Sequence, residues 1–266
     1  MKRLGFGLTL VVAGGVIAAC SRTEAPPAGS APASAAGDRY ADEASNITLI
    51  GYNDLQGRES LQVTVKSDAA NGNWLYVGHH ENFWDDTRKM NPITGTMEWN
   101  GTSILNIEDP ASPKLVWHIP NDNNATSRSV SVVYDYTFDG SGHDYLIRNS
   151  EFKDDFKFQI FDITTRGTDP SKIALVSEIT GTPPNSCGPG CGGKLIGRAH
   201  KGWWSQETGY FYSAAGEPGF YTTLVQVWDL KDPRHPKFVS RMWIPGQKNG
   251  ESGNEGQYAH HPNVDE

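Results

Sequence analysis

Five of the chain's eight histidines fall in three short stretches: His79-His80-Glu81, His200-Lys201-Gly202-Trp203-Trp204 and His260-His261. Neutral imidazoles suit zinc, copper, iron and nickel, and mixed His/Glu sets recur in metal-assisted catalysis. The glutamates repeat as well. Setting Tyr76–Glu81, Leu146–Glu151 and Tyr212–Glu217 above one another puts a carboxylate at the end of each. Two readings follow. In one, Glu81, Glu151 and Glu217 ring a mouth at which His79, His80, His200, His260 and His261 bind a transition metal. In the other, a repeated carboxylate caps a recurring loop by accepting backbone N–H bonds, and the histidines are polar linings or loop anchors. Trp84, Trp203 and Trp204 either stack on a sugar or aromatic ligand or fill space between packed sheets. His118, His143 and His235 fall on outer strands or turns and are read as bystanders. The chain has no G-x-S-x-G elbow, phosphate-binding loop or dinucleotide fingerprint, which argues against serine-hydrolase and nucleotide chemistry.

The elements that must position these residues are short strands. Asp109-Pro110, Asp169-Pro170 and Asp232-Pro233 recur at spacings of 60 and 63 residues. Each lies between two apolar, β-branched runs, and self-similarity at such a period marks a repeat architecture. Aromatic runs punctuated by 29 Gly and 16 Pro point to an all-β chain. Strands are predicted at Ile47–Tyr52, Leu61–Val65, Trp74–Gly78, Ser103–Ile107 and Lys114–Ile119. A second unit follows at Val130–Tyr136, Tyr145–Arg148, Lys157–Ile163 and Ile173–Ile179. The third comprises His200–Trp204, Tyr210–Ser213, Leu224–Leu230 and Lys237–Trp243. Four antiparallel strands per repeat of about 60 residues describe propeller blades better than a sandwich.

The runs ILNIEDPASPKLV, FQIFDI…DPSKIALV and VQVWDLKDPRHPKFV resemble the LVIVD repeat of β-propeller-like exported bacterial proteins. The stretches NDLQGR, YVGHH, NGTS, HKGWW and HHPNVD resemble a lipoprotein group within it. That resemblance covers residues 46–266 and implies a propeller-like array of about three blades plus the first strand of a fourth, at Tyr258–Glu266. Such an array does not close, because propellers carry four to eight blades. The expectation is a chain truncated at its C-terminus, or one completed by a protein partner or by self-association. Selenium-binding proteins and methanethiol oxidases are propellers similar in kind, and that likeness implies copper or another transition metal as cofactor.

Lys2 and Arg3 precede an apolar run to Ala19, too short and Gly-rich to span a membrane stably. Ile17-Ala18-Ala19-Cys20 resembles a bacterial lipobox, which implies a signal peptide over residues 1–20 and lipidation at Cys20; an ordinary signal peptide cut near Ala19 is the alternative. Ser21 after the cysteine favours the outer membrane by the same resemblance, facing the periplasm or the cell surface. Residues 21–45 are rich in Ala, Pro, Ser and Gly and read as a flexible tether. The formal charge of −8, without a basic stripe, argues against nucleic acid. Cys187 and Cys191 are spaced C-x3-C in an exported chain. A disulfide stapling that loop is the reading preferred over a redox pair, and two thiolates are too few for structural zinc. The functional expectation is a lipid-anchored envelope scaffold that binds a ligand or protein partner. The alternative is a metal-dependent oxidoreductase with a His/Glu site.

Overall fold

The computed structural model describes residues 48–80, 88–152, 155–180, 198–252 and 258–264. Each of the three expected units is a four-stranded antiparallel sheet whose strands follow one another in chain order. The first comprises β1 (Ser60–Asp68), β2 (Gly72–His79), β5 (Gly101–Asn106) and β6 (Lys114–Pro120). Between β2 and β5 lies a small separate hairpin, β3 (Lys89–Met90) and β4 (Met97–Glu98). The second sheet is β7 (Val130–Tyr136), β8 (His143–Phe152), β9 (Asp155–Asp162) and β10 (Ala174–Ile179). The third is β11 (Arg198–Trp204), β12 (Tyr210–Gly216), β13 (Thr223–Asp229) and β14 (Lys237–Met242). The all-β, blade-like reading of the sequence therefore holds.

The first strands of the three sheets sit side by side. Gln62 Nε2 and Thr64 Oγ1 of β1 both donate to Val130 O of β7, at 3.0 and 2.9 Å. On the other side, Ser129 Oγ and Ser131 Oγ accept from the Gly202 and Trp204 N–H groups of β11, at 3.3 and 3.1 Å. Gln206, in the β11–β12 turn, pairs with β7 as a strand would. Its Nε2 donates to Tyr134 O at 2.6 Å, and its Oε1 accepts from Tyr134 N–H at 3.2 Å. Gln206→Ala leaves both backbone groups without these partners, so we expect a loss of about 1–3 kcal/mol in denaturant unfolding.

Between neighbouring sheets the inward residues interdigitate. Trp74, Tyr76 and Ile104 of the first meet Val132, Tyr134 and Phe161 of the second. Val133, Tyr136 and Ile160 of the second meet Trp204, Phe211 and Trp228 of the third. Trp204 lies 5.1 Å from the Tyr136 ring and 6.0 Å from the Tyr145 ring, so it fills inter-sheet space rather than facing a ligand. Val63 and Val65, which alternate with the β7-facing Gln62 and Thr64, are 56 and 59% exposed, as an open array implies.

Two expectations need revision. Thr48–Tyr52 of the predicted strand Ile47–Tyr52 carries no strand pairing, and Ile47 lies outside the described residues. The segment docks instead on the Asp-Pro turn. Asn53 Nδ2 donates to Pro113 O at 2.9 Å, and Gly51 lies so near Pro110 O that a Cβ would stand 2.1 Å from it. The β3–β4 hairpin is tied down by buried Arg58, which donates to Lys89 O, Glu98 O and Trp99 O. Tyr258–Val264, placed as the start of a fourth unit, has no strand partner assigned, but Ala259 N–H donates to Thr223 O of β13 at 2.8 Å.

Candidate functional site

The strand ladders supply an alignment that the sequence does not. Trp74 pairs with Asn106, Tyr145 with Asp162 and Tyr210 with Asp229, which makes these three pairs equivalent. Counting from them, His80, Glu151 and Gly216 share one position at the end of the second strand. Glu217 falls one residue further on, so Glu151 and Glu217 do not occupy a common offset. Their surroundings differ accordingly. Glu217 is held within its own sheet, 3.0 Å from Arg241 Nε and 3.1 Å from Gln226 Nε2. Burial raises its pKa even beside Arg241.

First strands share a second feature. β1 has one extra residue between Ser60 and Gln62, and β11 has one between Ala199 and Lys201. On β7 the same excess lies between Thr126, bridged to Glu151, and Ser129, paired with Asn149. Such a bulge leaves a residue out of the ladder and re-aims its side chain. The residues at these places are Leu61, Arg128 and His200, and His260 holds the corresponding place in Ala259-His260-His261.

The bulges and the second-strand ends assemble one polar rim. Arg128 donates to the buried carboxylate of Glu151 and, at 3.3 Å, to His80 Nε2. That bond makes His80 Nε2 the acceptor, so the ring proton sits on Nδ1, 3.8 Å from Glu59 Oε1. His200 Nδ1 stands 4.0 Å from Glu151 Oε2, and the His200 and His260 rings meet edge-on at 4.6 Å. Asn149 Nδ2 contacts Glu151 Oε2 at 3.5 Å and donates to Ala199 O at 2.9 Å, joining the second sheet to the third. Burial, then the neighbouring His200 and Lys201, lower the His260 pKa. Burial followed by Lys201 lowers that of His261.

His79 does not join this rim. Adjacent strand residues point to opposite faces, and His79 turns into the first sheet, fully buried. Its Nε2 meets Ser103 Oγ at 2.8 Å, Ser103 Oγ meets His118 Nδ1 at 3.1 Å, and His118 Nε2 meets Trp99 O at 2.9 Å. His118 is thus a buried member of a polar network and not a bystander. Burial brings the His79 pKa down to about 4 and lowers His118 well below its ordinary value. The network has counterparts. Ser103 is paired with His118, Gln159 with Glu178 and Gln226 with Arg241, one polar pair between the third and fourth strands of each sheet. Comparing SILNI, QIFDI and QVWDL residue by residue would have found the first member of each.

Trp203 is half buried on β11, and its Nε1 has no partner among the described residues. Cys20, Glu81, Trp84, Cys187 and Cys191 lie outside the described residues. Among the described residues, no three His, Cys, Asp or Glu side chains are grouped to hold a metal ion. The best-placed carboxylate, Glu151, is already engaged by a guanidinium. At the opposite end of the sheets, a cleft of about 470 Å³ is lined by Phe138, Asp139, Asp229, Lys231, Arg234 and His235. Charges there pair locally, Arg234 with Asp139 at 3.4 Å and His235 with Asp232 at 2.7 Å. No protein-family model matches the chain, and no curated protein matches it.

Proposed function

We propose that this chain is an exported bacterial scaffold, anchored in the cell envelope by lipid on Cys20, that binds a ligand or protein partner through its polar rim. One observation carries the reading: His80, Arg128, Glu151, His200 and His260, drawn from successive units, meet at one edge. Residues that serve only their own sheet would not converge in this way. Native mass spectrometry of the full chain, isolated from its own envelope, tests it. An added mass that disappears in an Arg128→Ala/His200→Ala variant is expected; the same bare mass for both proteins overturns the reading. The anchor is tested separately. Cys20→Ala is expected to move most of the protein from the membrane fraction to the soluble fraction.

A metal-dependent oxidoreductase is favoured by the edge contact of His200 with His260 near Glu151. The Arg128–Glu151 pair opposes it, because a guanidinium and a metal cation compete for the same carboxylate oxygens. Metal analysis of the purified protein separates the readings, and less than one transition-metal ion per chain is expected.

A further inference from the structure

One cation of the rim, Lys201, stands without a counter-charge among the described residues. Arg128 and Lys201 lie in one small region, where Glu151 is committed to Arg128 and Glu59 stands beside His80. Lys201 is half buried and has no hydrogen-bond or ion-pair partner among the described residues. Burial and the like charge of Arg128 both depress its pKa. Arg128 Nε and His261 Nε2 are shielded from solvent yet unpaired. The Thr126 hydroxyl is in the same condition, in a fully buried residue bridged to Glu151. In a chain of net charge −8, a half-buried lysine left without a counter-charge implies an anion from outside.

The donors narrow the choice. They come from three separate segments, around Arg128, Lys201 and His261, and not from one planar fork. A carboxylate pairs best with a guanidinium fork, and the fork of Arg128 is already taken by Glu151. A tetrahedral oxyanion presents oxygens in several directions, which suits an ammonium, a guanidinium and, once its ring takes up a proton, the unpaired Nε2 of His261. We propose that the rim between Arg128, Lys201 and His261 binds a phosphate group, which rests on the rim being the binding face.

Titration calorimetry of the full chain in detergent, at fixed ionic strength, tests this with inorganic phosphate, glycerol phosphate and acetate as probes. Saturable binding of at least one phosphate, and none of acetate, is expected. Lys201→Met should weaken it at least tenfold, while Lys201→Arg, which keeps the charge, should stay close to the parent. If Lys201→Met melts early, His261→Ala serves as the second variant, with the same loss expected. Stronger binding of glycerol phosphate would identify an ester, and stronger binding of inorganic phosphate the free ion. Failure of both phosphates to saturate, or parental binding by Lys201→Met, overturns the proposal. A captured mass in the native experiment alongside that failure would leave the rim as the binding face and remove only the phosphate.

Discussion

Asp144→Ala is expected to destabilise the protein by about 3–5 kcal/mol, read as a lower urea midpoint at an unchanged slope. The Asp144 carboxylate accepts from the Arg166 guanidinium, and both side chains are about 95% buried. Arg166 lies 4.2 Å from the Tyr134 ring and 5.1 Å from the Trp74 ring, so the pair sits where the first two sheets pack. Asp144 Oδ1 also accepts the Asp135 N–H at 2.7 Å, holding Asp135 at a φ of 48°. Removing the carboxylate strands a cation among aromatic rings and frees a strained turn together. A double variant, Asp144→Ala with Arg166→Met, should recover much of the loss, because replacing both members of a buried pair by apolar groups costs less than orphaning one. If the single variant unfolds within about 1 kcal/mol of the parent, the pair does not hold this junction.

Acid should weaken the fold through its buried histidines. His79 has its pKa lowered by burial to about 4, against an ordinary value of 6.5, and His118 moves in the same direction. Between pH 6.5 and 4 the unfolded chain binds protons that the folded chain refuses. Stability is therefore fully present above pH 6.5 and falls as pH drops towards 4. For His79 alone the loss is about 3 kcal/mol, at roughly 1.4 kcal/mol per pKa unit. His79→Gln is expected to lower stability at pH 7 by disturbing the bonds to Ser103 and Glu59 O, and to flatten the slope below pH 6.5. An unchanged slope in that variant would place the proton uptake elsewhere.

Strands were legible because their signal is local. Apolar alternation, β-branched runs and Asp-Pro turns located β1, β2 and β5 to β14 to within a few residues. Register was not legible. Whether His79 or His80 faces the rim depends on a one-residue phase, and neighbours in a strand point opposite ways. Arg128 drew no attention in RSVSV because its role is set by Glu151, 23 residues along the chain, and by His80 on another sheet. The β3–β4 hairpin was hidden because Arg58 organises it from outside the segment. Trp203 and Trp204 looked alike in sequence, yet alternation put one in the core and left the other half buried.

The bulge in each first strand separates two tasks that a regular strand would couple. Past it the ladder resumes its register, so Val65, Val132 and Trp204 stand opposite Leu75, Leu146 and Phe211, equivalent places on the second strand. The extra residue answers to the rim alone, and the three units present there a hydrocarbon, a guanidinium and an imidazole: Leu61, Arg128 and His200. Exchanging Leu61 or His200 therefore offers a way to rewrite what the edge recognises, whereas Arg128 is tied to the buried carboxylate of Glu151.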